Sequence, residues 1–353
     1  MKKYERIYDD FKAAIYNGEY KAGDKLPTEE QIAAKYGVSR VPVQQAMNAL
    51  IGGKMVKRII GSGTFVTFES HLAMTKNRNA VFLLNEIDPE TAQIVEGAQR
   101  VLHNRGIFLS TRYSGENFDT VEQEVLEQLK NDEIAGLMIY PIDSNKRIDL
   151  MYDLVRDKKP LVFVDKLPNN LPANCVMSDP ISAMDQMVGH LAENGHRRIA
   201  FVGHDPVSRS SVGQRLRMAA IAMHSRGLEL PQEYVRCTGN AYTDTLALLD
   251  LPHPPTAVVY CAAVSLYASY QAYSRRGVRI PEDISVMAHD DITRYWDAVG
   301  RKISCVRQDY AGIGEAAAKR LYQYLVKPDG HNIVEYVPTA FIDYGSVRTL
   351  NAE

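Results

Sequence analysis

The chain has 353 residues, 45 % of them hydrophobic and 24 % charged, with a formal net charge of −2. That is too apolar for a disordered chain and long enough for two or three domains with a large core. No apolar run approaches the length that crosses a bilayer, and Met1-Lys2-Lys3-Tyr4-Glu5 leads straight into a charged amphipathic helix, so a cytoplasmic protein with no signal segment and no membrane partner is expected.

The charge is unevenly placed. Residues 1–68 hold eleven Lys or Arg against seven Asp or Glu, about +4, which leaves about −6 for the rest. A basic end on an acidic chain points to nucleic acid, because attraction to phosphates supplies most sequence-independent affinity. Within that end, Thr28 opens a helix with Ile32, Ala33 and Tyr36 on one side, and Gly37 supplies a turn. Ser39 can cap a second helix, whose Val43, Ala46, Met47 and Leu50 recur at helical spacing. Two short amphipathic helices joined by a glycine turn present the second to a DNA groove. The β-prone runs Met55 to Ile60 and Thr64 to Phe68, about the tip Gly61-Ser62-Gly63, predict a hairpin, the wing. Arg40, in the first turn of the second helix, can reach guanine edges or phosphate, while Lys54, Lys57 and Arg58 line the wing. Cations that merely solvate a small domain are the alternative, and the helix pair and hairpin together speak against it.

Glu69 to Asn79 is polar and without period, and reads as a linker. Beyond it, short strands alternate with helices. Strands are predicted at Val81–Leu84, Phe108–Thr111, Gly136–Tyr140 and Leu161–Val164, with helices at Thr91–Asn104, Thr120–Lys130 and Ile148–Lys158. The pattern then restarts, with strands at Ile199–Val202, Tyr234–Thr238, Ala257–Tyr260 and Ile284–Ala288 between helices at Ile181–Asn194, Gly213–Arg226, Thr243–Asp250 and Ser265–Arg276. The order implies two doubly wound parallel sheets, one lobe following the other, with a small molecule in the cleft beyond the carboxyl ends of the strands.

Neither cofactor nor catalysis is expected. The first body strand runs into Leu84-Asn85-Glu86-Ile87-Asp88-Pro89 where a dinucleotide site needs Gly-x-Gly-x-x-Gly, and Gly61-Ser62-Gly63-Thr64 lacks the lysine of a phosphate loop. Cys175, Cys237, Cys261 and Cys305 are scattered and read as reduced core thiols, and no histidine pair has metal-ligand spacing, so no metal site is expected. His196, beside Arg197 and Arg198, reads as a helix-end cation or cap.

Three motifs in order, Leu26-Pro27-Thr28-Glu29, Gly37-Val38-Ser39-Arg40 and Gly61-Ser62-Gly63-Thr64-Phe65-Val66, make Tyr4 to Phe68 resemble the DNA-binding domain of the GntR family of bacterial transcription factors. The resemblance implies double-stranded operator DNA as partner and assigns the contact to Thr28, Glu30, Ser39, Arg40, Val41, Gln44, Lys57, Arg58, Gly61, Ser62, Gly63 and Thr64. Two positions depart from the family pattern. Gln44 stands where a second arginine is frequent and Glu30 where arginine or asparagine is frequent; glutamine suits adenine better than guanine, so a different operator is expected.

The body, roughly residues 80 to 347, is similar to the effector-binding part of the LacI family of sugar-responsive repressors. Asn194-Gly195-His196-Arg197-Arg198-Ile199, Gln214-Arg215-Leu216, Gly277 to Val286 and Asp290-Asp291 carry that likeness in the family's order. The combined resemblance implies an α/β protein in which a winged helix-turn-helix (1–68) and a linker (69–79) precede a two-lobed, periplasmic-binding-protein-like body (80–347) with two Rossmann-like parallel sheets. It further implies a homodimeric repressor controlled by a sugar or sugar derivative, held by Asp165, Arg215, Tyr242, Asp290 and Gln308. Three of them have a plainer reading: Asp290 as a turn carboxylate, Asp165 as an ion-pair partner, Arg215 as a solvated helix residue. Cys261-Ala262-Ala263 replaces the family's Asn-Asp pair, which leaves a more apolar ligand, an acidic or phosphorylated one, or a sugar in another orientation. A sugar receptor without DNA regulation shares the two-lobed body, and the basic amino-terminal domain argues against it.

Overall fold

The computed structural model describes residues 2–70, 77–142, 146–168, 171–206, 210–291, 300–328 and 330–350. The expected linker therefore lies partly outside the described residues, at His71 to Lys76.

The amino-terminal unit has helices α1 (Lys3–Asn17), α2 (Glu29–Tyr36) and α3 (Arg40–Gly52), followed by a hairpin of β1 (Val56–Ile59) and β2 (Gly63–Val66). Thr28 caps α2 reciprocally with Gln31: its hydroxyl accepts from Gln31 N at 3.3 Å, and its own N donates to Gln31 Oε1 at 2.8 Å. Gly37 ends the helix in the left-handed conformation at φ 62°. Ser39 holds the N-cap position of α3, but its hydroxyl makes no cap bond there. The unit is closed by one apolar cluster that includes Ile7, Phe11, Ile15, Ile32, Val43, Met47 and Leu50.

The body holds two six-stranded sheets. In the first lobe β3 (Asn79–Leu84), β4 (Phe108–Tyr113), β5 (Gly136–Ile139), β6 (Leu161–Val164), β7 (Asn174–Ser178) and β13 (Val334–Val337) lie in the order β13-β7-β6-β5-β3-β4, all parallel. Helices cover both faces. Along β3, Ala80, Phe82 and Leu84 meet α4 (Pro89–His103) and α11 (Tyr310–Val326), while Val81 and Leu83 meet α5 (Phe118–Lys130) and α6 (Ile148–Arg156). In the second lobe β8 (Ile199–Val202), β9 (Val235–Arg236), β10 (Ala257–Tyr260), β11 (Ser285–His289), β12 (Cys305–Arg307) and β14 (Ala340–Ile342) take the order β14-β12-β11-β10-β8-β9, and β14 alone runs antiparallel. Helices α7 (Pro180–Glu193) and α8 (Ser210–His224) pack on one face, α9 (Ala241–Leu249) and α10 (Ala263–Arg276) on the other.

The lobes do not simply follow one another. The chain crosses between them after β7, again between β12 and α11, and a third time between β13 and β14. Helix α11, far along the sequence, thus completes the first lobe against α4. Glycines permit that contact: a Cβ on Gly314 would lie 1.9 Å from Ile94 O, and one on Gly97 would lie 2.1 Å from Ala311 O.

A further correction concerns His196. His196 is no helix-end cation: it is fully buried, with Nδ1 2.9 Å from Thr256 Oγ1 and Nε2 3.1 Å from Arg348 O, and burial pushes its pKa down to about 4. Near the carboxyl end Leu350 N donates to Asn194 O at 2.8 Å, which holds that segment against the end of α7. The cysteines are free thiols, three of them buried and Cys237 partly so.

The amino-terminal unit is seated on the first lobe by side chains. Tyr16 packs on Phe68 with ring centroids 5.0 Å apart and on Tyr322 at 6.4 Å. Tyr322 Oη donates to Asn17 Oδ1 at 3.0 Å, and Arg78 Nη2 donates to the Asn17 carbonyl at 3.1 Å. Arg105 lies over the Tyr322 ring, 5.0 Å from its centroid.

Candidate functional site

Two sites emerge, one on each unit. On the amino-terminal unit, Glu29 is the organising residue that sequence reasoning missed. Only 15 % of its side chain is exposed; one carboxylate oxygen accepts from Arg40 Nε at 3.1 Å and the other from Arg58 Nη2. The first turn of α3 and the wing strand β1 are thereby tied to one carboxylate and present one face. Arg40 remains 64 % exposed, and Val41 beside it 60 %, so a guanidinium and an apolar group stand together at the mouth of α3. Glu30 and Lys57 are exposed and Gln44 is partly buried on α3. At the wing tip Gly61 and Gly63 take φ 75° and 125°, Ser62 N donates to Ile59 O at 3.0 Å, and Thr64 O accepts from Leu26 N at 2.8 Å. The signal for Glu29 was in the sequence, as an acidic residue at the start of a helix in a basic segment, but its partners lie 11 and 29 residues away.

The second site lies where the strand ends of the two lobes face each other. Asp165 directly follows β6 and Asp290 directly follows β11; both have left-handed backbones, at φ 72° and 77°. Tyr140, just past β5, lies near Asp165, and burial together with that carboxylate pushes its phenol up. Gln308 Nε2 donates to Asp290 Oδ1 at 2.7 Å and to Tyr310 Oη at 3.1 Å, and burial together with the nearby Asp290 carboxylate pushes the Tyr310 phenol up. Arg215, on α8, donates from Nη1 to the Cys261 carbonyl at 2.9 Å. Burial disfavours its charge, but the nearby carboxylates of Asp290 and Asp165 outweigh that and raise its pKa. Burial likewise opposes ionisation of Asp290, yet His289, the Arg215 guanidinium and the Gln308 amide hold its carboxyl well below the usual range. His289 is fully buried with Nδ1 3.4 Å from Asp290 Oδ2, and burial together with Arg215 lowers its pKa, which keeps the imidazole neutral.

Among the described residues of this cluster, Gln308 Oε1 and both ring nitrogens of His289 are buried without a hydrogen-bond partner. A buried acceptor without a donor is costly, so this arrangement suits a molecule that brings donors with it. Four of the five residues assigned to the cleft by resemblance, Asp165, Arg215, Asp290 and Gln308, are brought together. Tyr242 is not: its hydroxyl accepts from Arg275 Nη1 at 2.8 Å on the exposed side of α9 and α10, because the first turn of α9 directs that ring to the outer helical layer. Sequence reading also missed Tyr140, His289 and Tyr310. Tyr140 had a usable signal, since it directly follows a strand of a doubly wound sheet, the place where such sheets bind their ligands.

Comparisons with known proteins agree with this division. Residues 3–66 match the bacterial regulatory proteins of the gntR family, and residues 188–347 match a periplasmic binding protein-like domain. The arabinose metabolism transcriptional repressor of Geobacillus stearothermophilus is 27 % identical over 337 residues, 92 % of either chain. Among solved structures, a lac repressor dimer bound to operator and an anti-inducer superposes with a TM-score of 0.65 at 19 % identity, covering 78 % of this chain and 96 % of that one. A LacI family transcriptional regulator from Enterococcus faecium with bound ribose gives 0.61 at 20 % identity, covering 77 % and 100 %. At such identities the structural likeness speaks for the fold.

Proposed function

Because the chain joins a gntR-family DNA-binding domain to a periplasmic-binding-protein-like body, we propose that it is a homodimeric transcriptional repressor whose grip on operator DNA is set by a small polyol bound between the lobes. The observation that carries this reading is the coexistence in one chain of an exposed Arg40–Arg58 face and a buried Asp165–Arg215–Asp290 cluster shared by two lobes. The full-length likeness to a repressor of arabinose metabolism supports both halves. Arg40, Val41 and Gln44 read base edges from α3, Val41 through a thymine methyl, while Lys57, Arg58 and the turn Gly61 to Thr64 hold the backbone and groove beside it.

The effector is a neutral molecule rich in hydroxyl donors. Two carboxylates, the Gln308 carbonyl oxygen and a neutral imidazole converge there, while the Arg215 guanidinium is already engaged on the Cys261 carbonyl and beside the carboxylates. A phosphate or carboxylate would meet repulsion; sugar hydroxyls satisfy the acceptors. Dimerisation is assigned to the outer edge of the first lobe. There β4, paired on one side with β3, is an edge strand exposing Phe108 (71 %) and Tyr113 (56 %), next to a groove lined by Glu96, Gln99, Arg100 and His103 of α4.

A thermal-shift screen of pentoses, hexoses and sugar phosphates tests the reading. A true effector at a hundred times its Kd stabilises by about 2.7 kcal/mol, and the same compound must change the mobility shift of DNA from upstream of the protein's own gene. Stabilisation by phosphates alone, or by a sugar in Arg215→Ala and Asp290→Ala alike, overturns the assignment.

A further inference from the structure

The tip of the wing holds an isoleucine out into solvent. Ile60 is 99 % exposed and its neighbour Ile59 42 %, on a turn shaped by Gly61 and Gly63. The ground around this apolar point is positive. Lys57 and Arg58 lie just before it on β1, Lys54 precedes the strand, and Lys25 packs so closely beneath Gly63 that a Cβ there would come within 2.6 Å of Lys25 Cε. Through Glu29, Arg58 is also fastened to the arm of Arg40, so the wing and the mouth of α3 address the same surface.

We propose that Ile60, backed by Ile59, enters the minor groove beside the site read by α3 and wedges a base step, so that the ease of bending the DNA becomes part of operator choice. The inference rests on the DNA-binding reading above. The positive charge around the tip matches a phosphate-lined groove and would repel a basic protein surface. Branched apolar side chains inserted between base steps partly unstack them and kink the duplex, and the distortion is easiest at pyrimidine–purine steps and in A·T-rich sequence. Ile60 would thus add selectivity at base pairs that no polar side chain of the wing reads.

The test uses the full-length protein and labelled duplexes from the region upstream of its own gene, with affinity measured against salt and bending measured by end-to-end energy transfer. Ile60→Ala should weaken binding about tenfold, the order expected for losing one buried isoleucine side chain. It should also reduce the bend and leave the slope of log K against log salt unchanged. Ile60→Met keeps an apolar wedge and should keep the bend. Wild-type affinity and bend in Ile60→Ala overturn the proposal, as does a loss of affinity accompanied by a flatter salt slope, which would place the effect in the cations. A changed sedimentation coefficient with unchanged DNA binding would assign the tip to a protein surface and also overturn it. If the wild-type protein shifts no duplex, the DNA-binding reading itself fails, an outcome distinct from all of these.

Discussion

Asp165 and Asp290 are counterparts across the cleft: each is the residue after a central parallel strand, each has a left-handed backbone, and each donates its N–H to a valine carbonyl of the next strand, Val176 and Val306, at 2.8 Å. Left-handed backbone is tolerated by aspartate and asparagine but strains alanine by about 1–2 kcal/mol. Asp165→Asn and Asp290→Asn should therefore avoid backbone strain but leave the buried Arg215 one carboxylate short, so that they lose sugar-induced stabilisation and some stability, while Asp165→Ala and Asp290→Ala should melt lower still. Calorimetry with and without the effector separates the effects, and an asparagine variant that binds as the wild type does would remove that carboxylate from the site.

Arg40 and Lys57 should fail in different ways. Arg40→Ala is expected to cost on the order of 1–3 kcal/mol on operator and much less on unrelated DNA, whereas Lys57→Ala should weaken both alike and reduce the salt slope by about one. Glu29→Ala frees both arginines from their shared carboxylate and should narrow the ratio of operator to unrelated DNA affinity by about tenfold, within the usual worth of one well-placed contact. Titrations at three salt concentrations distinguish the three behaviours.

The seating of the amino-terminal unit on the first lobe is testable without DNA. Tyr322→Phe removes the donor to Asn17 Oδ1 and should cost about 1 kcal/mol of that contact, the ordinary value of one hydrogen bond. Faster protease cleavage in the segment 69–79 is the expected readout, with the melting of the body unchanged. Cleavage at the wild-type rate would mean that the contact carries no weight in solution.

Stability should fall on acidification in a way traceable to His196. Its unfolded imidazole titrates near 6.5 and its folded one at about 4, so the stabilisation is complete above pH 6.5 and is lost as pH falls towards 4, at about 1.4 kcal/mol per unit of separation. Buried His289, also lowered, acts in the same direction. His196→Gln should flatten the fall in melting temperature between pH 7 and pH 5 without abolishing it. An unchanged profile would show that His196 is protonated without cost.

Local signals in the sequence were sufficient for the units and most of the elements. Thr28, Gly37 and the Gly61–Gly63 tip act within a few residues of themselves, and strands such as Leu161–Val164 and Ala257–Tyr260 are continuous buried apolar runs with matching bounds. What escaped depends on long-range closure. Nothing near Tyr310 announces that its helix returns to the first lobe, since the evidence for that is the absence of side chains at Gly97 and Gly314. In the cleft, Asp165, Arg215, Asp290 and Gln308 were found through family motifs, whereas Tyr242 was misplaced because one turn of helix decides whether a ring looks inward or outward. Glu29 was overlooked because ion pairs leave no mark on periodicity.

Helix α11 begins at Tyr310, whose hydroxyl accepts from the same Gln308 amide that donates to Asp290, and near its other end carries Tyr322, hydrogen-bonded to Asn17. Seventeen residues of α-helix measure about 25 Å, and the glycine contact with α4 leaves no slack for the two to slide. Such a helix behaves as a stiff beam with one end in each compartment of the protein. A tilt of about 5° at the cleft displaces the far end by about 2 Å over that length, enough to break or remake the hydrogen bond that seats α1. Signal and response would then share one solid part, and the connecting segment would need only to be long enough not to interfere.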